Sequence, residues 1–67
     1  MSFRLGDLVK VTCNGVAHKG INVKGFIGEI ASRPIWMTGF GYAYRVDWGD
    51  DPDDYSAVLG EHLLKVG

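Results

Sequence analysis

Sixty-seven residues carry seven Lys and Arg against eight Asp and Glu, a formal charge of −1, with 46% hydrophobic side chains. This near-neutral balance supplies no strong basic field for nucleic acid, and one cysteine excludes an internal disulfide, a cysteine-built zinc site and an iron–sulfur cluster. The length allows a single domain spanning residues 1–67, with enough apolar content to fold and no run of 18 apolar residues to cross a membrane.

Gly6-Asp7 marks a turn, after which Leu8 to Thr12 alternate as a half-buried strand, Val9 and Val11 against Lys10 and Thr12. Asn14-Gly15 breaks that strand, and the mixed polar and glycine composition of Cys13 to Lys24 predicts a long loop. Gly25 to Ala31 form the second strand, in which Gly28 signals a bulge or a close backbone approach. Pro34 ends or bends this strand because it has no N–H for a ladder. A second loop, Ile35 to Gly41, holds Trp36 and Phe40.

Tyr42 to Trp48 give the clearest strand, with Tyr42, Tyr44, Val46 and Trp48 on one face. Gly49 to Asp54 form an acidic turn, Pro52 setting φ and the aspartates favouring tight local hydrogen bonds. Tyr55 to Leu59 return as a fourth strand, Gly60-Glu61-His62 read as one helical turn, and Leu63 to Val66 close the sheet. The expectation is an all-β, five-stranded SH3-like barrel with one short helical turn before the last strand, because closure removes exposed sheet edges. Its expected interior is Val9, Val11, Ile27, Ile30, Tyr44, Val46, Val58, Leu63 and Val66.

The segments GDLVKV, KGFIGEI, YRVDW and EHLLKV stand in the order seen in SH3-like barrels. They most resemble the electron-transport accessory group, which includes the variable subunit of ferredoxin–thioredoxin reductase and the ferredoxin-docking subunit of photosystem I. The stretch HKGINVKGFIGEI, His18 to Ile30, is similar to the variable subunit, where a histidine-containing loop leads into a Gly-x-x-Gly-Glu strand. The resemblance implies a non-catalytic brace, packed against an iron–sulfur catalytic subunit, in the cytoplasm or a plastid stroma. A similar opening also occurs in KOW-type domains, so a nucleic-acid-binding KOW or Tudor-like barrel is the alternative; a small acidic regulator is another.

No nucleophile–base set, metal-ligand spacing or phosphate-cradling loop is present in the sequence, so no catalytic, cofactor or metal residue is assigned. Cys13 reads as an incidental thiol, and Asp47 to Asp54 as a solvated turn lacking the ligand spacing of an EF-hand. The candidate partner-binding residues are Trp36, Phe40 and Tyr42, with Arg33 as a rim contact and His18 from the loop. Trp and Tyr dominate binding hot spots. For Trp36 two readings stand: an interface anchor, or a plug folded over an open end of the barrel.

Overall fold

The computed structural model describes every residue except Met1, Ser2, Asp50 and Pro52. Among those residues the chain is β-structured almost throughout: β1 (Leu8–Val11), β2 (Ala17–His18), β3 (Ile21–Asn22), β4 (Ile27–Ile30), β5 (Ile35–Met37), β6 (Gly41–Asp47), β7 (Tyr55–Leu59) and β8 (Leu63–Lys65). A single 3-10 turn, Gly60–His62, precedes β8, at the position expected for a helical turn. The parts of the expected acidic turn formed by Asp50 and Pro52 lie outside the described residues.

Six of the eight strands form the main sheet, one more than the expected five, and β2 and β3 pair separately. β4 and β5 both pair with one edge of β6, through Ile30↔Val46 and Ile35↔Ala43, while β7 takes the other edge. Between them, the four residues from Ala31 to Pro34 oppose only Tyr44 and Arg45, so a bend rather than a new strand is inserted. The backbone N–H of Arg45, left without a ladder partner there, donates to Ser32 Oγ at 2.9 Å. Pro34 sits in this bend, where a missing donor costs nothing. β1 lies between β4 and β8, and all these pairings are antiparallel.

The curved sheet encloses one core of Phe3, Val9, Val11, Val23, Ile30, Tyr44, Val46, Val58 and Leu63. Each fully buried aliphatic contributes about 1.5–3 kcal/mol of apolar burial. Two residues absent from the expected interior belong to it. Phe3 packs edge-on against Tyr44 at 5.3 Å between ring centres, and its N–H donates to Tyr44 Oη at 3.2 Å. Val23 enters from the early loop, its N–H donating to the carbonyl of Val16.

Two expected core residues do not belong to it. Ile27 is 55% exposed and Val66 44%. β4 shows why: the pleat turns Gly28 and Ile30 inward, so Ile27 and Glu29 share the outer face. Gly28 itself confirms the expected close approach. A Cβ there would lie 2.5 Å from Val46 Cγ1, 2.8 Å from the Asp47 carbonyl and 2.9 Å from Trp48 Cε3.

The two expected loops are also corrected. Residues 13–24 contain the β2–β3 hairpin, with His18 opposite Ile21 around Lys19-Gly20. Both turn residues have positive φ, 52° and 79°, the twist of a type I′ turn. Ile35 to Gly41 is the other: Ile35–Met37 pair with β6, leaving only Thr38 to Phe40 as the connection.

Candidate protein-interaction surface

The β5–β6 hairpin extends beyond the covered part of the sheet. Its sequence from Pro34 to Tyr44 contains no charged residue. Trp36 stands opposite Tyr42 across the two strands, and their rings meet at 5.1 Å with planes 67° apart, an edge-on contact. Yet Trp36 is 61% exposed, Tyr42 58% and Phe40, in the turn, 71%. Trp36 is therefore not a plug over the barrel end. Ile35 and Met37, on the other face of the same short strand, are exposed as well. Phe40 and Tyr42 continue into a groove of 260 Å³ whose floor includes Tyr44, Leu59 and Gly60.

Three of the five residues singled out from the sequence, Trp36, Phe40 and Tyr42, thus come together on one hairpin. Arg33 lies in the bend that leads into β5; it is exposed and forms no ion pair among the described residues. It is the one charged side chain at the hairpin's base on the β5 side. Sequence reasoning missed Ile35 and Met37. The available signal was the uncharged run around Trp36, which a loop assignment left unused.

His18 stands in a different setting. Its Nε2 lies 2.5 Å from Asp54 Oδ1, and Lys19 Nζ approaches the same oxygen at 3.8 Å. This clasp joins the β2–β3 hairpin to the segment after β6, across 36 positions of sequence. The His18 ring also faces Trp48 at 6.4 Å, and Trp48 receives Phe26 edge-on. The Trp48 indole N–H donates to Ser56 Oγ at 3.1 Å. His18, Lys19, Ile21, Phe26, Trp48 and Asp54 together line a shallow groove of 370 Å³. His18 is thereby held in a structural contact with Asp54 and Trp48, apart from the aromatic hairpin.

No family model matches the chain, and no curated protein or solved structure matches it significantly.

Other chemistry is sparse among the described residues. No group of three or more His, Cys, Asp or Glu side chains is placed to hold a metal ion. Cys13 is half-buried, its thiol donating to the Asn14 carbonyl at 3.3 Å. His62 lies in the 3-10 turn, 3.7 Å from Glu61 Oε1. Among the described residues no helix is long and apolar enough to cross a membrane. What the hairpin offers chemically is desolvation: aromatic and aliphatic surface that gains free energy when a partner covers it.

Proposed function

We propose that this chain is a non-catalytic accessory barrel, SH3-like in its strand order, that binds another protein through the β5–β6 hairpin. The observation that supports this most is the uncharged hairpin itself, with Trp36, Phe40 and Tyr42 held outward by backbone pairing while a complete core forms without them. Truncating such an aromatic anchor in a bound interface costs about 2 kcal/mol or more. Arg33 supplies a polar rim beside it, as interfaces with an apolar centre commonly have.

The partner we propose is an iron–sulfur catalytic subunit of a ferredoxin–thioredoxin-reductase-like assembly, in a reducing compartment. The sequence likeness in GDLVKV, KGFIGEI, YRVDW and EHLLKV supports this, as does a single cysteine that leaves cluster ligation to another chain. Co-expression with such a catalytic subunit tests the proposal. A stable complex that co-purifies from the wild type and is lost on Trp36→Ala agrees with it; the absence of any complex, or one indifferent to Trp36→Ala and Phe40→Ala, contradicts it.

A further inference from the structure

The pleat that expels Ile27 and Val66 from the core assembles a second apolar surface, on the outer face of β4, β1 and β8. Leu8 and Lys10 of β1 point there, with Ile27 and Glu29 of β4 and Leu64 of β8. The register fixes their mutual positions. Leu8 stands opposite Glu29, and Lys10 stands between Ile27 and Leu64. The Val66 N–H donates to the Leu8 carbonyl, which places Val66 beside Leu8. Leu8, Ile27, Leu64 and Val66 are each about half exposed on this face.

The quartet at its centre carries one base and one acid, Lys10 and Glu29, and a second base, Lys24, borders the hollow beside Lys10 and Leu64. Neither Lys10 nor Glu29 forms an ion pair among the described residues. Asp47 faces Glu29 from β6, but Arg45 Nε donates to Asp47 Oδ1 at 3.0 Å and answers that charge within the chain. The face therefore carries both halves of a charge pair, on diagonal corners of a quartet whose other corners are Leu8 and Ile27.

We propose that this face binds a second copy of the chain, sheet against sheet, about a twofold axis. A twofold contact must be self-complementary, the same patch serving both sides. An axis lying between the sheets and midway between Lys10 and Glu29 sets each Lys10 over Glu29 of the second copy. The same operation keeps Leu8 and Ile27 near the axis, where each meets its own symmetry mate, and Leu64 and Val66 extend the apolar area. A surface of single charge sign would repel its copy; here the twofold sets a base over an acid at two places. A disulfide-free domain of this size also gains more from oligomerisation than a larger one does. The hairpin proposed above takes no part, so the two contacts are independent.

Sedimentation equilibrium of the purified full chain, from micromolar to millimolar concentration, tests the proposal. The expected result is a reversible dimer. Ile27→Glu raises its dissociation constant about 30-fold or more, and Leu64→Glu repeats the test should Ile27→Glu fail to fold. Lys10→Glu and Glu29→Lys each weaken it about tenfold, and the double reversal restores it. A chain that stays monomeric throughout overturns the proposal, as does a dimer that survives both glutamate variants. A double reversal weaker than either single change also overturns it. Trp36→Ala leaves the dimer intact; if it dissolves the dimer, the hairpin rather than this face is the self-contact.

Discussion

Strand β6 passes through two settings in seven residues. Its second half, Tyr44 to Asp47, is flanked by β7 on one edge and by β4 and the bend after it on the other, and turns Tyr44 and Val46 into the core, where both are buried. Its first half is flanked by β5, whose outer edge has no strand partner among the described residues, and there Tyr42 stands in solvent. Tyr42 and Tyr44 occupy the same face by alternation and have the same chemistry. What separates them is whether anything lies above. Alternation assigns a side chain to a face of the sheet, while the reach of the neighbouring strands decides whether that face is covered. The covered half holds the fold together, and the uncovered half is left for contact with another molecule.

That contrast gives an ordered set of expectations. Ile30→Ala, in the covered half's neighbour β4, removes a side chain that is almost wholly buried, and such truncations cost about 2–5 kcal/mol. Each kcal/mol moves the midpoint of a domain this small by about 4–8 °C, so a thermal melt by circular dichroism should fall by ten degrees or more. Gly28→Ala drives a methyl group into Val46 and the Asp47 carbonyl, which overpacks the core at a cost of about 1–3 kcal/mol. Urea titration should show the loss as a lower midpoint, and an unchanged midpoint would mean that β4 and β6 are not pressed together there. Val46→Ala belongs with these, lowering the melting midpoint by several degrees. Tyr44→Phe keeps the ring but removes the acceptor for the buried Phe3 N–H, a loss of about 1 kcal/mol in the same titration. Trp36→Ala closes the series. It removes the edge-on cross-strand contact with Tyr42, worth about 0.2–1 kcal/mol, so its melt should fall by a few degrees at most, well short of Ile30→Ala.

The fold was largely legible where pattern and punctuation agree. Tyr55 to Leu59 and Gly60 to His62 match the observed β7 and 3-10 turn residue for residue, because glycine and the acidic turn bracket an alternating run. Leu8 to Thr12 overshoots β1 by one residue. The missed hairpins have physical causes. β2 and β3 join through Lys19-Gly20, and a lysine with positive φ carries none of the Asn-Gly or Asp-Gly signal that announces a type I′ turn. β5 is three residues between a proline and two glycines, composition that reads as loop although pairing to β6 makes it a strand. Hydrophobicity alone places Ile27 and Val66 in the core, and the parity of the pleat, one residue either way, reverses that placement. Phe3 lies before the first strand signal, where no periodicity could mark it. For the candidate surface, Trp36, Phe40 and Tyr42 were legible as aromatic residues in an uncharged stretch. Their outward direction was not, since it depends on the bend at Ala31 to Pro34, and neither was the His18–Asp54 clasp, which closes over a long separation.

One paired measurement bears most directly on the division between a half of β6 that folds and a half that binds. Wild type and Trp36→Ala are each titrated into the iron–sulfur catalytic subunit by calorimetry, and the same preparations are melted. The account predicts melts within a few degrees of each other and a dissociation constant raised about 30-fold or more by the substitution, the equivalent of roughly 2 kcal/mol. Equal affinities, or a melt lowered as far as that of Ile30→Ala, would contradict it.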